Sequence, residues 1–427
     1  MKKTLIIALA ALLTGSAAMA QEEKPAHFKL YGFIRNYVIT DTREVNAGTN
    51  DLFLYMPKDK NMSNGVDLNA GFNWRYLSLT TRLGLDVSGY KFGTMNLSGK
   101  VEADFYSLSG TTSAAIIPQL RLRQAFVKLT WDNNPLALTL GQAWHPMGVD
   151  LPHITNLESG APFNPFNRSP QATLDITAGK FTFTASVLYL NHFLPTGPNG
   201  KSAEYYKYGL PEFYVGVAFK TDKFLGKLGL DMVNMKPYRT VDDNGTTVKA
   251  NGLLSTFSPF LFLQFTSGKF QLRAKTILAQ AGEHMNLLSG YGVASYNPTT
   301  HTYTYAPMQD WASFISFQYG KKVQAMCTLG YFKQLGTTKD LMLTTNASTG
   351  ASEYALWMNT AADTKIQQAF RVTPTVAWNI GKFTVSLEYD LTAAEFGRGA
   401  RNIRGMYDGT PEWILNHRFI CMTKFTF

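Results

Sequence analysis

The chain lacks the motifs on which the commoner catalytic and metal-binding sites depend. It contains neither a Gly-rich phosphate loop nor a G-x-S-x-G nucleophile elbow. Its 7 histidines are scattered along the sequence, and no pair has metal-ligand spacing on one face of a predicted strand. His145 and His153 share a segment, but prolines flank them and no cysteine accompanies them. We therefore expect no metal, no cofactor and no enzymatic activity.

Long hydrophobic runs are also missing, which excludes a membrane-spanning helix. Residues 1–20 match a secretory signal peptide, with Lys2 and Lys3, an apolar core at 5–13 and an Ala18-Met19-Ala20 cleavage site. No later run approaches the ~18 apolar residues that a transmembrane helix needs. No linker or low-complexity segment divides residues 21–427, which we expect to form one domain. An exported chain of this kind can span a membrane only as a β-barrel.

The residues that are abundant favour strands joined by turns. Charged residues make up only 16% of the chain, whereas it has 29 Phe, 21 Tyr and 35 Gly. Aromatic residues at strand ends are typical of an interfacial girdle, so they require no nucleic-acid partner. Alternating apolar and polar residues predict sixteen strands, at 28–41, 75–87, 94–107, 120–131, 136–143, 172–178, 181–190, 212–220, 227–235, 254–266, 270–281, 311–319, 323–335, 366–380, 383–394 and 413–427.

Connections between these strands alternate between long and short. Five short ones carry a Gly-Lys pair, in which Gly would supply the positive φ of a tight turn; the glycines are Gly179, Gly226, Gly268, Gly320 and Gly381. Periplasmic turns at one rim and extracellular loops at the other produce this alternation. The last strand runs to Phe427, and we expect it to pair with the first. The fold class predicted is all-β, an antiparallel 16-stranded transmembrane barrel.

Three local features qualify the predicted registers. The alternation slips near Gln124 and Ala125, which indicates a β-bulge. Residues 254–266 are partly apolar on both faces, which indicates either that a folded-in loop covers the inner face or that the predicted register is wrong. Cys327 and Cys421 fall on outward faces of strands three apart, so we expect free, lipid-facing thiols rather than a disulfide.

Strand parity places a surplus of basic residues inside the barrel. The predicted pore-lining and anion-selecting residues are Arg35, Arg82, Lys100, Arg121, Arg123, Arg273, Lys275, Arg371 and Arg418. The predicted inward acids are Asp86, Glu102, Asp104, Glu388 and Asp390. Basic side chains in a narrow pore favour anions. The alternative is that these charges only pair structurally; Arg121 and Arg123, with no acid on their own strand, are the best candidates for an anion site.

The connection at 144–170 differs from the other long ones. It contains 5 prolines, which stiffen a loop, and its Phe163 and Phe166 argue against free exposure. We expect an inward-folded constriction loop, although an exposed external loop is the alternative. Its candidate functional residues are His145, Asp150, His153, Glu158 and Arg168.

Five short motifs in the first third resemble the DcaP-type trimeric outer-membrane porins. They are Tyr31-Gly-Phe-Ile-Arg35, Arg82-Leu-Gly84, Lys100-Val-Glu-Ala-Asp-Phe105, Leu120-Arg-Leu-Arg-Gln-Ala-Phe126 and Gly141-Gln-Ala-Trp144. The resemblance covers roughly residues 28–175. It implies a sixteen-stranded, anion-preferring channel for small solutes such as dicarboxylates. Such proteins can carry an N-terminal helical segment, whereas only residues 21–27 precede the first strand here, so trimerisation would depend on the barrel wall.

The combined prediction is a passive porin in the outer membrane of a Gram-negative bacterium. Small, preferentially anionic solutes would diffuse through it, and its partners would be these solutes, outer-membrane lipid and two further copies in a homotrimer. A sugar-selective porin and a structural or adhesive barrel are the alternatives. An outer-membrane lipid hydrolase would need adjacent Ser and His on the outer face, and the sequence offers no such pair.

Overall fold

A computed structural model describes residues 26–48, 52–106, 118–156, 160–345, 350–359 and 363–427. Glu158, one of the predicted loop residues, lies outside these ranges. None of the helices in the described ranges is long and apolar enough to cross a membrane.

Sixteen antiparallel strands close into a barrel, which confirms the predicted fold class. They are β1 (His27–Arg43), β2 (Ala70–Leu77 and Arg82–Phe92), β3 (Met95–Tyr106), β4 (Gln119–Trp131), β5 (Leu136–Trp144), β6 (Arg168–Ala178), β7 (Phe181–Leu188), β8 (Leu210–Lys220), β9 (Phe224–Met235), β10 (Leu254–Ser255 and Ser258–Ser267), β11 (Phe270–Gln280), β12 (Thr302–Gly320), β13 (Val323–Thr337), β14 (Ile366–Ile380), β15 (Phe383–Phe396) and β16 (Glu412–Thr426).

The last strand closes the barrel on the first, as predicted. β16 pairs with β1 from Phe33↔Thr426 to Asp41↔Arg418, and the backbone N–H of Phe427 donates to the Gly32 carbonyl at 3.1 Å. Closure leaves no unpaired strand edge. Outward side chains are apolar and exposed along most of the wall, as a lipid-facing surface requires; examples are Phe72, Trp74, Leu228 and Phe419.

The second strand is interrupted, and the prediction of one continuous strand at 75–87 was wrong. Both parts of β2 pair with β1, but residues 78–81 leave the ladder, and Thr80 has φ +66°. Because of this break, each side chain of the first part faces the opposite side from the one it would face in a continuous strand. A continuous strand with Arg82 inside would turn Leu77 and Leu79 outward, but both are buried inside with Tyr37.

The predicted bulge is confirmed, and one predicted turn was wrong. Glu102 pairs with Gln124 whereas Ala103 pairs with Leu122, so Arg123 is the extra residue of β4. Gly226 does not form a turn. It lies within β9, opposite Phe219, and the connection from β8 runs through residues 221–223.

The long connections contain short elements of their own. These are the hairpins Val45–Gly48/Phe53–Pro57, Met62–Ser63/Val66–Asp67, Thr196–Gly197/Gly200–Lys201, Thr240–Asp243/Thr246–Lys249 and Leu343–Thr345/Ser352–Tyr354, the strands Gly290–Asn297 and Leu356–Met358, the α-helix Glu204–Lys207 and the 3-10 helix Gly282–Met285. We name the connections 44–69, 145–167 and 281–301 L1, L3 and L6.

The hydrophobic core lies inside the barrel, on its β10–β15 side. Phe260 and Phe262, the apolar inner face of β10, are buried together with Met147 and Phe163 of L3 and Tyr55 of L1. Residues of two long connections thus pack against the inner face of β10. The apolar residues 52–56 of L1 are buried inside the barrel as well.

Candidate functional site

A cavity of about 300 Å³ lies inside the barrel, between the β1–β5 wall and L3. Its basic side is formed by Arg35, Arg82, Arg121 and Arg123, four residues predicted to line a pore. Leu151, Ile154, Thr155 and Asn156 of L3 lie across from them. Rings complete the lining, from Phe33, Phe53, Tyr55, Trp144, Phe166, His192 and Phe193.

Two backbone irregularities bring the guanidinium groups together. The bulge in β4 turns the consecutive residues Arg123 and Gln124 both inward, so that Arg123 lies between Asp104 and Glu102. The break in β2 brings Thr80 next to β1, where its Oγ1 accepts from Nε and Nη2 of Arg35 at 3.0 and 2.7 Å. Features that disturb the regular strands therefore build this site.

Two acids of β3 pair with part of the basic wall. Arg121 binds Asp104 through two N–H groups at 3.0 and 3.1 Å. Arg123 reaches Glu102 at 2.9 Å and Asp104 at 2.6 Å, and Arg82 lies 3.4 Å from Glu102. Arg123 is nearly inaccessible, whereas the side chains of Arg82 and Arg121 are 21% and 24% exposed. The latter two can therefore contact a molecule in the cavity.

Positive charge exceeds negative charge at this wall. Within the described ranges, neither Arg35 nor Arg168 has a carboxylate within ion-pair distance. Arg35 lies over the rings of Phe33 and Tyr37, 4.8 and 5.2 Å from their centroids, and Arg168 lies over Trp144 at 4.9 Å. Five guanidinium groups thus surround two carboxylates.

The surplus of positive charge affects the protonation of the loop residue His192. Burial, reinforced by the neighbouring cations of Arg168, Arg121 and Arg123, holds the pKa of His192 well below its usual value. The His192 imidazole is therefore neutral, and the positive potential at this wall comes from the arginines.

L3 is anchored to the inner wall by its own backbone. The N–H groups of Thr155 and Asn156 both donate to the Glu388 carboxylate of β15. The N–H of His153 donates to Ser316 Oγ at 2.8 Å, and Asp150 forms an ion pair with Lys227 at 2.7 Å. These contacts hold the described part of L3 inside the barrel.

Several predicted selectivity residues bind loops instead of lining the cavity. Arg273 and Lys275 donate to the carbonyls of Leu151 and Met147, each at 2.7 Å. Arg371 donates to the carbonyls of residues 54, 55 and 161, so it joins L1 and L3 to β14.

Three further predicted residues also have local partners. Lys100 pairs with Asp86 at 3.0 Å. Arg418 is fully buried beside Asp41 at 2.9 Å. His145, at the start of L3, is buried and contacts Glu212 at 2.7 Å.

Sequence reasoning missed acids that also face inward. These are Asp41, Asp175, Glu212, Asp231 and Asp310. These acids offset part of the predicted basic surplus, whereas at the cavity wall five guanidinium groups face two carboxylates. Asp41 and Asp231 lie on predicted strands, so a full parity count would have found them. The apolar run at 52–56 could likewise have revealed the inward fold of L1.

Comparison with known proteins gives a likeness of fold. No family model and no curated protein matches the chain. The outer membrane channel DcaP of Acinetobacter baumannii is similar in structure, with a TM-score of 0.63 and 15% identity over 96% of this chain and 100% of that one. The trimer form of Vibrio cholerae OmpT has a TM-score of 0.51 and 12% identity, over 95% of this chain and 100% of that one. An anion-selective porin from Comamonas acidovorans has a TM-score of 0.51 and 8% identity, over 94% of this chain and 100% of that one. The fold expected from the DcaP-type resemblance is thus confirmed, since these structures share the closed barrel.

Proposed function

We propose that the protein is a DcaP-type outer-membrane porin through which small anionic solutes diffuse passively. The observation that carries this proposal is the lining of one internal cavity by four arginines, with Arg168 packed on the cavity residue Trp144. Dicarboxylates are the solute class that fits best, because two carboxylates can pair with separate guanidinium groups. No bond of the solute is made or broken.

Charge and confinement together would produce the selectivity. Arg35, Arg82 and Arg121 are the residues we assign to solute contact, because each is partly exposed at the cavity. Arg123 would position its neighbours through the two acids it binds. A positive potential between low-dielectric walls raises the local concentration of anions and disfavours cations.

L3 would form the constriction of the pore. Its Leu151 and Ile154–Asn156 segment faces the arginines, and its anchors on Glu388 and Ser316 are hydrogen bonds of the loop backbone. A loop fixed in this way holds the passage at a constant width. Lys100, Arg273, Lys275, Arg371 and Arg418 would act mainly by keeping the wall and the loops in place.

A sugar-selective porin is the second candidate, because aromatic rings line much of the same cavity. Trp144, Phe166 and Phe193 could contact the apolar faces of a sugar ring. Uptake of maltose and succinate into proteoliposomes would separate the two solute classes. A barrel that serves only adhesion would pass neither.

We also propose a homotrimer in the outer membrane. The support is the fold shared with OmpT, one structure of which is of a trimer form. The mass of the purified protein in detergent, measured by light scattering with subtraction of the micelle, would give the number of chains.

Planar-bilayer recording tests the proposed selectivity. Under a KCl gradient, the reversal potential of the native protein should indicate anion preference. Replacing both Arg35 and Arg121 by Glu should reverse the sign of that potential, because four charge units change at the cavity wall. Cation selectivity of the native protein would refute the proposal.

The matched control is Lys321→Glu together with Lys269→Glu. Both lysines lie in exposed connections outside the strands, so the same change in net charge occurs away from the cavity. The reversal potential should stay close to that of the native protein. An equal shift in both double variants would show that overall charge, and not the cavity wall, sets selectivity.

A further inference from the structure

Four buried residues from separate parts of the chain meet at the start of L3. We call them the acid–histidine cluster: His145 of L3, Glu212 of β8, Asp231 of β9 and His284 of the L6 3-10 helix. Each is at most 1% exposed. No two of them are closer than 19 positions in sequence, which is why no spacing motif revealed them.

The donor atoms of the cluster converge on one point. Nε2 of His145 lies 2.7 Å from Glu212 Oε1 and 3.6 Å from Asp231 Oδ1. Nε2 of His284 lies 3.2 Å from Asp231 Oδ2 and 3.6 Å from Glu212 Oε1. Ligand atoms of His145, Glu212 and Asp231 all lie within 4.8 Å of one another.

These separations approach those of a tetrahedral metal site. Zinc bonds to His nitrogen and carboxylate oxygen measure about 2.0–2.2 Å, so tetrahedral ligand atoms stand roughly 3.3–3.6 Å apart. Three of the four measured distances fall near this range. Only the hydrogen-bonded contact between His145 and Glu212 would have to lengthen.

Polar atoms of the cluster also lack partners. Glu212 Oε2 and Asp231 Oδ1, which belong to the two carboxylates that would hold an ion, are buried without a hydrogen-bond partner among the described residues. Buried polar atoms of this kind are costly unless something satisfies them. A divalent cation would neutralise the charge of the two carboxylates while both imidazoles stay neutral. The cluster would then bury no uncompensated charge.

We propose that the acid–histidine cluster binds one divalent transition-metal ion of the zinc type. Imidazole nitrogen and carboxylate oxygen together suit zinc better than magnesium or calcium, which prefer oxygen ligands alone. The ion would join L3, L6 and the β8–β9 wall. It would thereby fasten the beginning of the loop that faces the arginine-lined cavity.

Binding requires one local rearrangement. Nδ1 of His145 accepts the backbone N–H of Met147 at 3.1 Å, so Nε2 carries the proton that is donated to Glu212. An ion at Nε2 displaces that proton, and Nδ1 then becomes a donor. The Met147 N–H must therefore turn away from the ring, a change that should appear as a shift of the Met147 amide resonance on zinc addition.

Zinc titration of the untagged, full-length protein in detergent tests the proposal. After EDTA treatment and dialysis, calorimetry with ZnCl₂ should show one site per chain, and elemental analysis should give the same stoichiometry. Cobalt in place of zinc should produce the visible absorption bands of a four-coordinate site. Absence of saturable binding would overturn the proposal.

Matched variants locate the site. Asp231→Asn nearly keeps the side-chain volume but removes the carboxylate charge, and His284→Gln replaces the imidazole nitrogen by a weakly binding amide. Each should weaken zinc binding by at least about tenfold, the effect that even outer-shell changes can have. His153→Gln and His301→Gln, outside the cluster, should leave it unchanged. Heat-modifiable gel migration and circular dichroism would establish that each variant is folded. Undiminished zinc affinity in both cluster variants would assign the ion elsewhere and refute the proposal.

Discussion

At the scale of the residue, inward-facing charge has two distinct uses in this barrel. Some groups are fully paired and buried. Arg418 donates to both oxygens of Asp41 at 2.9 Å, and Arg75 approaches the same carboxylate at 3.0 Å. Others, such as Arg35, have no carboxylate partner among the described residues and remain open to the cavity. The alternation of residues along a strand identifies both kinds of inward charge but cannot distinguish them. The ion-pair partner of a charged group and its accessibility depend on the neighbouring strands.

Arg418→Ala should destabilise the folded barrel by about 3 kcal/mol, because it leaves part of the buried Asp41 charge without its partner. Urea unfolding in detergent micelles, followed by tryptophan fluorescence, would measure the change. The control is Lys91→Ala, which removes an exposed ion pair with Asp132 and should cost less than about 1 kcal/mol. Equal losses in the two variants would contradict the distinction between buried and exposed pairs.

At the scale of the element, irregular segments shape the interior more than regular strands do. The break in β2 and the bulge in β4 add Thr80 and Arg123 to the basic wall, and L3 forms the opposite side of the cavity. L3 depends on close packing as well as on hydrogen bonds. Gly330 of β13 faces inward, and the ring of Phe163 lies directly over it. A glycine is needed at position 330 because the Phe163 ring lies too close to the backbone for a Cβ to fit.

Gly330→Ala should displace Phe163 and loosen L3. A Cβ at this position would stand 2.5 Å from Phe163 Cγ, and overpacking of this kind typically costs about 1–3 kcal/mol. We expect an altered single-channel conductance and faster proteolysis of L3.

Gly71→Ala is the matched control, because a Cβ there meets nothing within 4 Å. If Gly330→Ala behaved like Gly71→Ala, the contact with Phe163 would not be what holds the loop.

At the scale of the whole molecule, closure between β1 and β16 gives the barrel its form. Ile39 lies opposite Ile420, and Asp41 lies opposite Arg418, so the seam is apolar and ion-paired on its inner face. Phe427 extends this seam beyond the last strand. Its ring contacts Gly32, where a Cβ would come within 2.7 Å of Phe427 Cζ. The terminal aromatic residue therefore has a place on the barrel wall.

Deletion of Phe427 should lower the fraction of protein that inserts as a folded, heat-modifiable barrel. The deletion removes both the backbone hydrogen bond to Gly32 and the contact between the Phe427 ring and Gly32. Quantitative immunoblotting of outer-membrane fractions would measure insertion. Phe427→Tyr keeps the ring and the backbone and should insert normally, whereas normal insertion of the deletion variant would refute the assignment.

The sequence alone determined the sixteen-stranded barrel, its closing pair of strands and the bulge in β4. Residue alternation and loop length are local properties, and a barrel converts them directly into inner and outer faces. Even the inward direction of Arg35, Arg121 and Arg273 followed from parity.

Only the tertiary structure decided what the inward residues do. The parity reversal at residues 78–81 depends on pairing with β1, and the inward fold of L1 depends on contacts with β14. The separation of cavity arginines from buried ones, and the meeting of His145 with Glu212, Asp231 and His284, arise between segments far apart in sequence. Local patterns carry no information about such contacts, because closure of the barrel and packing of its loops bring these residues together.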